Sequence, residues 1–411
     1  MLAILSAPGS RGDVNPMLAI GTQLRKHGYK VVISLAEPYM PLATTAGLIA
    51  ERLVSNEEFD QLLSVPSVWK PVRGARAILK HLAGDILQRH LEIIERYHAN
   101  RSTILVSHPL DVASRIFREA NSGTPLVDVH LAPAILRTYE APPRMSPWFW
   151  EPRRPAWLLR FGYRVLDHTI IDPAISSPIN SARRKLGLTS IRRVLDQWWL
   201  SPDKILAMYP AWFAPATKQF QPRLVHCGFP LDKFPKRDSA SVAQKNGAIV
   251  FTAGTGHRHC RVFFEKAAAA CESLSQQGLL LSSTNESFPD SLPDCVETGG
   301  YIPFANLLPQ AKLLVHHGGI GTTAACLASA TPQLILPNAF DQFDNASRIE
   351  RLSVGKWLRR ENELTLEISA ILDNASFQAN AAKVAKRVSC DAVDVAVKEI
   401  CETALEFGVT R

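Results

Sequence analysis

The amino-acid sequence predicts an α/β protein with two domains, each a parallel sheet with helices on both faces. Three observations support this prediction. The chain has 411 residues, more than the roughly 100–200 that one domain usually holds. Residues 1–36 alternate strand-like, helix-like and strand-like segments, and this alternation restarts near residue 247. Hydrophobic residues make up 46% and charged residues 20% of the chain, which is a globular composition rather than a disordered, fibrous or membrane-embedded one.

The amino-terminal half supplies the first sheet. It opens with a predicted buried strand, "LAILSA", and a loop, "GSRGDVNP". The next segment, "PMLAIGTQLRKHG", has apolar residues at helical spacing, proline first and Gly28 after its end, so it predicts a helix that starts at Pro16. Further strands are predicted at "YKVVISLA", "STILVSH" and "TPLVDVHL". The segment Pro142–Trp157, with three Trp and five Pro, predicts an ordered, partly apolar loop.

The carboxyl-terminal half supplies the second sheet. Between residues 226 and 246 the composition shifts to Pro, Lys, Ser and Asn, which is typical of a linker. Strands are then predicted at "AIVFTAGTG", "GLLLSST", "CVETGGYI", "KLLVHH" and "PQLILP". We therefore assign residues 1–225 to the first domain, 226–245 to the linker and 246–411 to the second domain.

Charge and cysteine content narrow the function. Forty-six Lys and Arg against 38 Asp and Glu give a net charge of +8, which favours an anionic partner. No long basic run is interleaved with aromatic residues, so a nucleic acid is not expected. Seven cysteines without a CxxC pair indicate neither a disulfide framework nor a zinc site. No stretch approaches the ~20 apolar residues of a spanning helix, and residues 1–8 are too short for a signal peptide. We expect a cytoplasmic protein, with contact to the inner face of a membrane left open.

One segment, residues 315–345, combines the features of a ligand site. It reads "VHHGGIGTTAACLASATPQLILPNAFDQFDN", which predicts a strand, a glycine turn and the start of a helix. Backbone N–H groups at a helix N-terminus lack intrahelical partners and carry the positive end of the helix dipole, and glycines let a phosphate approach them. Thr322 and Thr323 could add hydroxyl donors, and His316 or His317 a ring N–H.

Two other interpretations of this turn stay open. Gly319, Gly321 and Ala324 match GxGxxA, and Asp341 follows at about the ~20-residue offset of a dinucleotide-binding fingerprint. Alternatively, the glycines only let the helix pack closely on its strand. A ligand site is favoured because "PNAFDQFDN" follows the next strand, and the carboxyl ends of parallel strands share one crevice.

The segment after that next strand suits a sugar. Asp341, Gln342 and Asn345 offer carboxylate and amide groups about one helical turn apart, and these groups can bind sugar hydroxyls. The alternative is an ordinary helix N-cap formed by Asp341 or Asp344.

These motifs resemble those of family-one glycosyltransferases of the GT-B fold. The resemblance is carried by "HGGIGT" from His317, by "DQ" at Asp341 and Gln342, and by the loop "GSRGDVNP", and it extends over nearly the whole chain. Within the family, "INSARRKLGL", "YPAWFAP", "GFPL", "HHGGIG" and "FDQFDN" look most like the rhamnosyltransferase of rhamnolipid synthesis. The resemblance implies two Rossmann-like domains facing each other across a cleft, with the last helix packing back on the first domain. It also implies transfer with inversion from a nucleotide-diphosphate sugar, held by the second domain, to an acceptor held by the first.

The resemblance also assigns the donor-binding residues. Those implied to hold the diphosphate are His317, Gly319, Gly321, Thr322, Thr255 and Gly256. Asp341 and Gln342 would bind the sugar hydroxyls. Tyr301 would lie under the nucleobase, with main-chain contacts from Ile302, although a buried structural tyrosine is the alternative. His316 and His317 compete for the phosphate, and the spacing to Asp341 favours His317.

By the same resemblance, Asp13 is the general base that takes the proton of the acceptor hydroxyl. An ordinary Asp has a pKa of ~3.9, so a desolvated site would have to raise it. The alternative is an Asx turn that caps the helix at Pro16. His108 and Asp111, in "VSHPLDVAS", could orient the base or contact the acceptor.

The predicted reaction needs neither a metal nor a cofactor other than its co-substrate. Helix-end amides, histidine and threonine can neutralise the leaving diphosphate, and no DxD-like carboxylate pair follows a strand. Residues 68–94 and the Trp-rich loop would line a pocket for an apolar acceptor, such as a hydroxy fatty acid or a glycolipid, although Trp148, Phe149, Trp150 and Trp157 could equally be packing anchors. The sequence thus predicts transfer of a hexose or deoxyhexose from a UDP- or dTDP-sugar. The alternatives are a nucleotide-sugar epimerase, a dinucleotide-dependent oxidoreductase and a non-catalytic binding protein.

Overall fold

A computed structural model describes residues 1–65, 68, 71–138, 142–147, 155–215, 220–231, 247–254, 260–282 and 284–410. The chain divides into two compact units. Unit 1 consists of Met1–Pro143, Trp148–Pro230 and Asp391–Arg411, and unit 2 consists of Arg144–Pro147 and Leu231–Cys390. The chain therefore passes from unit 1 to unit 2 after Pro230 and returns to unit 1 at Asp391.

Strands and helices alternate along most of the chain. The strands are β1 (Leu2–Ala7), β2 (Lys30–Ala36), β3 (Ile49–Val54), β4 (Thr103–Ser107), β5 (Leu126–His130), β6 (Lys204–Ala207), β7 (Leu224–His226), β8 (Ile249–Thr252), β9 (Gly278–Leu281), β10 (Val296–Gly299), β11 (Leu313–His316), β12 (Gln333–Ile335) and β13 (Gly355–Trp357). The α-helices are α1 (Arg11–Lys26), α2 (Met40–Thr45), α3 (Asn56–Ser64), α4 (Pro71–Ala83), α5 (Asp85–Tyr97), α6 (Val112–Ala120), α7 (Ala156–Leu166), α8 (Asp172–Lys185), α9 (Arg261–Ser273), α10 (Phe304–Leu307), α11 (Ile320–Ala328), α12 (Gln342–Arg351), α13 (Leu364–Leu372), α14 (Ala375–Ala385) and α15 (Ala392–Glu406).

Each unit contains one parallel sheet, which confirms the predicted fold class. The sheet of unit 1 has the order β3-β2-β1-β4-β5-β6-β7, and that of unit 2 has the order β10-β9-β8-β11-β12-β13. The strand order reverses between β1 and β4 in the first sheet and between β8 and β11 in the second. Ligands of such sheets bind outside the carboxyl ends of the strands at this reversal. The candidate ligand sites therefore follow β1 and β4 in unit 1, and β8 and β11 in unit 2.

Helix α1 begins earlier than the predicted start at Pro16, which makes that prediction wrong. Ser10 is the N-cap residue of α1 and has an extended backbone conformation. Its N–H donates to Oδ2 of Asp13 over 2.8 Å. A serine followed three residues later by an acidic side chain forms a capping box. The segment Arg11–Asn15 is therefore the first turn of a helix rather than a loop, and Asp13 caps that turn instead of forming an Asx turn before Pro16.

The predicted loop Pro142–Trp157 is only partly described. Residues 148–154 lie outside the described residues, and α7 begins at Ala156 rather than after the loop. None of the helices in the described part of the chain is long and apolar enough to cross a membrane.

Candidate functional site

His316 ends β11 at the strand-order reversal of unit 2. Its side chain is fully buried, and its Nδ1 accepts the Gly318 N–H over 3.1 Å. Because Nδ1 accepts, the ring proton lies on Nε2, which donates to Oε1 of Gln333 over 3.0 Å. Both ring nitrogens are thus used inside the fold. His316 orders the glycine turn, and of the two adjacent histidines it is not the one available to a diphosphate.

The burial of His316 makes stability depend on pH. Burial, together with the nearby His317, lowers the pKa of His316 from 6.5 to about 3. The unfolded chain therefore binds a proton at this side chain below its ordinary pKa, and the folded protein does so only near pH 3. The contribution to stability is fully present above the unfolded pKa and is lost as the pH falls toward 3. We expect His316→Gln to flatten the acid decline of the free energy of unfolding by up to about 1.4 kcal/mol per pH unit.

Urea unfolding of the whole protein at a series of pH values between neutral and mildly acidic measures this slope. His27→Gln, a change at an exposed histidine next to α1, is the matched control and should keep the slope of the natural protein. Identical slopes for all three proteins would contradict the prediction.

The glycine turn brings His317 and the start of α11 together. Gly318 has a φ of +94°, a conformation that glycine adopts without strain. Gly319 is the N-cap residue of α11, and a Cβ on it would lie 2.6 Å from Nε2 of His317. A Cβ on Gly254, in the loop after β8, would also overlap the His317 ring. The ring is therefore packed between two glycines at the strand-order reversal.

The first turn of α11 is open at Gly321. A Cβ on this residue would meet no atom within 4 Å, and the φ of Gly321 is not positive, so the fold itself does not require glycine here. Glycine in a helix costs up to about 1 kcal/mol relative to alanine. Thr322 beside it is half-buried, whereas Thr323 is fully buried and is not available to a ligand.

The segment that follows β12 contacts this turn directly. Nδ2 of Asn345 donates to the Gly318 carbonyl over 2.9 Å and to Oδ2 of Asp341 over 2.8 Å. Oε1 of Gln342 accepts the N–H groups of Asn338 and Ala339 over 2.8 and 3.0 Å. These bonds orient the Gln342 carboxamide so that its NH2 group is left as a donor. The structure thus joins the two predicted motifs through Asn345, and Asp341 is also the first residue before α12.

Other predicted donor contacts lie on the same sheet or outside the described residues. Tyr301 follows β10 and is 64% exposed, so the alternative of a buried structural tyrosine is wrong. Ile302 packs partly against the core of unit 2. Thr255 and Gly256 lie outside the described residues.

Asp13 and His108 meet at the strand-order reversal of unit 1. Asp13 lies in α1 after β1, and His108 directly follows β4. Nε2 of the buried His108 lies 3.3 Å from Oδ1 of Asp13. Nδ1 of His108 accepts the Leu110 N–H over 3.2 Å, which places the ring proton on Nε2, facing the Asp13 carboxylate. Asp13 is partly exposed, so it combines a buried positioning partner with access to a ligand.

Asp111 forms no hydrogen bond with Asp13. It stabilises the loop between β4 and α6, which contains His108. It accepts the Ser114 N–H as the N-cap of α6 and the hydroxyl of Ser6 over 2.6 Å, and the same hydroxyl accepts the His108 N–H. Nδ1 of His90, on α5, lies 3.0 Å from the Asp111 carboxylate. Burial alone would raise the pKa of Asp111, but the charge of His90 and these hydrogen bonds lower it to about 2.

Sequence reasoning missed Ser6 and His90. Ser6 is the one polar residue of the strand β1, and this was the only sequence signal for it. His90 lies on α5 and is separated from Asp111 by β4, so no sequence pattern links the two residues. Nε2 of His90 is buried and has no hydrogen-bond partner among the described residues. His90 lines a small cavity whose other lining residues include Pro8, Leu82, Leu87 and Leu110.

The residues predicted to form an acceptor pocket are mostly buried or undescribed. Leu79, Leu87 and Leu91, in the segment 68–94, pack in the core of unit 1. Trp148, Phe149 and Trp150 lie outside the described residues. Trp157 is exposed, so the interpretation of it as a packing anchor is wrong.

The sequence is similar to those of known glycosyltransferases. Residues 279–404 match the family described as "Erythromycin biosynthesis protein CIII-like, C-terminal domain". An uncharacterized glycosyltransferase of Mycobacterium tuberculosis is 24% identical over 98% of this chain and 99% of its own. The O-mycaminosyltylonolide 6-deoxyallosyltransferase of Streptomyces fradiae is 25% identical over 100% of this chain and 98% of its own. The sterol 3-beta-glucosyltransferase of Saccharomyces cerevisiae is 26% identical over 95% of this chain and 34% of its own.

Solved structures show the same fold. The glycotransferase of kitacinnamycin has a TM-score of 0.71 and 17% identity, covering 98% of both chains. The spinosyn rhamnosyltransferase SpnG, solved with thymidine diphosphate, has a TM-score of 0.63 and 17% identity, covering 97% of this chain and 99% of its own. The two parallel sheets and these solved structures show that the chain has the GT-B fold, and the match of residues 279–404 together with relatives that align along the whole chain makes it similar to family-one glycosyltransferases.

Proposed function

We propose that the protein transfers a hexose or deoxyhexose, with inversion and without a metal, from a dTDP- or UDP-sugar to a hydroxyl group of an apolar acceptor. The observation that carries this proposal is the contact between the glycine turn before α11 and the Asp341–Gln342 pair, made through Asn345. One side of this contact suits phosphate groups and the other suits sugar hydroxyls.

The donor diphosphate is assigned to the N-terminus of α11. Its first-turn N–H groups have no intrahelical partners and carry a partial positive charge. Gly321 leaves room for a phosphate to approach them, and the positioned His317 ring and the Thr322 hydroxyl add donors. These groups stabilise the negative charge that develops on the leaving nucleoside diphosphate, which is the task a metal performs in other transferases. By the same assignment, Thr255 and Gly256 add phosphate contacts.

The sugar is assigned to Asp341 and Gln342, and the nucleobase to Tyr301 with Ile302. The Gln342 carboxamide is pre-oriented by two backbone N–H groups, so it donates to a hydroxyl without an entropic cost of ordering. Tyr301 presents an exposed ring after β10, three strands away from β11. At ~4.8 Å per strand this is about 14 Å, a separation of the order of an extended nucleoside diphosphate.

The proton of the acceptor hydroxyl is assigned to Asp13. As the acceptor oxygen forms a bond to the anomeric carbon, the bond from that carbon to the diphosphate oxygen breaks, and the hydroxyl proton passes to the Asp13 carboxylate. His108 acts as a positioning residue, because its Nε2–H faces that carboxylate. Ser6, Asp111 and His90 in turn fix His108.

The nature of the substrates rests on the relatives. The similar yeast and Streptomyces enzymes are named for a sterol and a tylonolide derivative, and SpnG was solved with thymidine diphosphate. We therefore place a dTDP-deoxyhexose before a UDP-hexose, and a lipid-like or polycyclic acceptor before a polar one. The proposed resemblance to the rhamnosyltransferase of rhamnolipid synthesis points to dTDP-rhamnose and a hydroxy fatty acid or glycolipid.

Acceptor-dependent release of the nucleotide tests this function. The protein is incubated with dTDP-rhamnose or UDP-glucose, with and without hydroxy fatty acids and sterols, and free nucleotide and glycosylated product are measured by mass spectrometry. We expect equal amounts of both products, only when an acceptor is present, and no loss of activity in excess EDTA. Isomerised sugar without an acceptor would show an epimerase. Donor binding without turnover on any acceptor would show a binding protein, and thermal stabilisation by NAD alone would show an oxidoreductase.

A further inference from the structure

Helix α7 carries an exposed apolar face. Trp157, Leu158, Phe161 and Val165 are 67%, 41%, 60% and 45% exposed. At about 100° per residue, these four positions fall within roughly 100° of the helix circumference. The other large exposed apolar side chains of the described residues lie singly on separate elements: Leu42, Val65, Met145, Val262, Tyr301, Leu366 and Leu405.

The opposite face of α7 fixes the helix to unit 1. Leu159 is buried there, and the Tyr163 ring packs under the Arg137 guanidinium, 4.8 Å from its centroid. Arg137 also forms an ion pair with the buried Asp167, just after the helix, over 2.7 Å. The exposed face is therefore held in place by contacts that do not involve it. Trp157 and Phe161, the aromatic side chains of the exposed face, do not belong to the described hydrophobic core of unit 1.

The charge beside this face is positive. Arg160 and Arg164 are exposed and lie along one edge of the apolar stripe, and residues 156–166 contain no acidic side chain. The whole chain carries a net charge of +8. A helix with aromatic and aliphatic residues on one face and arginines along its edge is the pattern of helices that lie in a membrane interface.

We propose that α7 docks the protein onto an anionic lipid bilayer, with the apolar face of α7 inserted among the acyl chains and the two arginines at the phosphate groups. Trp157 suits the interfacial region, since an indole ring has an apolar body and a polar N–H. A second copy of the chain fits this face less well, because a symmetric helix pair would bring four positively charged arginines together. The docking does not depend on the transfer reaction.

Co-sedimentation of the whole protein with vesicles tests the proposal. The probes are vesicles of phosphatidylcholine alone and of equal parts phosphatidylcholine and phosphatidylglycerol. We expect binding to the anionic vesicles that weakens as salt is added, and little binding to the neutral ones. Trp157→Ser combined with Phe161→Ser should lower the partition coefficient at least roughly tenfold, because two large apolar side chains no longer insert. Arg164→Gln should lower it several-fold.

Leu366→Ser is the matched control, since Leu366 is as exposed as Trp157 but stands alone on α13 of unit 2. It should bind vesicles like the natural protein. Unchanged binding by the Trp157 and Phe161 double variant would overturn the proposal. So would sedimentation velocity showing a dimer that the double variant loses, because α7 would then be an interface between copies. All variants replace exposed side chains, and circular dichroism checks that they remain folded.

Discussion

Asp13→Asn is expected to lower kcat of transfer by roughly 10²- to 10⁴-fold, the usual contribution of a general base. Asparagine keeps one side-chain oxygen, which can accept the Ser10 N–H in place of Oδ2, so α1 should remain capped and the fold intact. The bond to His108, which uses Oδ1 of Asp13, is lost. Asparagine cannot take up the proton of the acceptor hydroxyl. Donor affinity should not change, because the donor is assigned to unit 2. Acceptor-dependent nucleotide release at saturating donor measures kcat, and calorimetry measures the donor Kd.

Two further variants separate the base from its surroundings. Glu95→Gln removes an exposed carboxylate from α5 of unit 1 and should leave kcat unchanged. His108→Gln keeps a side-chain amide near Asp13 but changes its positioning, so we expect a smaller loss of kcat with a displaced acid limb of the pH–rate profile. Turnover by Asp13→Asn equal to that of Glu95→Gln would show that another group takes the proton.

Gly321→Ala is expected to leave the protein as stable as before, or more stable, and yet to weaken donor binding at least roughly tenfold. The methyl group meets no protein atom within 4 Å, and alanine is favoured over glycine in a helix by up to about 1 kcal/mol. In the donor complex the same methyl group would occupy the space through which the diphosphate reaches the N–H groups of α11. Thermal unfolding without ligand and calorimetry with thymidine diphosphate measure the two effects.

Gly162→Ala provides the comparison. Gly162 is also a helical glycine on which a Cβ would meet no atom within 4 Å, but it lies in α7 of unit 1. Its replacement should have a similar effect on stability and none on nucleotide affinity. If Gly321→Ala binds thymidine diphosphate as tightly as Gly162→Ala does, the donor does not lie against the first turn of α11.

Sequence patterns predicted the sheets well because parallel strands buried on both faces read as short apolar runs bounded by turn residues. They also predicted that the glycine turn and the Asp341–Gln342 pair would lie together, since β11 and β12 follow one another and pair directly. The start of α1 was mispredicted because Pro16 was read as a first-turn proline, which obscured the capping box of Ser10 and Asp13. Local signals that compete at one helix start are resolved only by backbone geometry.

The roles of neighbouring polar residues could not be predicted as well from the sequence. His316 and His317 have the same chemistry in the sequence, and only Gln333 across the sheet decides which ring is used internally. The Ser6–Asp111–His90 network joins β1, α5 and the start of α6, and its members share no periodicity. Such long-range contacts depend on strand order, which a single sequence specifies only through the whole fold.

The return of the chain to unit 1 at Asp391 affects how the protein is made. Helix α15 packs on α1, where Gln23 donates to Asp394, and Glu399 of α15 forms an ion pair with Lys204, the first residue of β6. A ribosome releases these last residues only after all of unit 2 has been synthesised. The amino-terminal unit therefore cannot complete its packing during vectorial translation, and no single cut in the gene would yield both units whole.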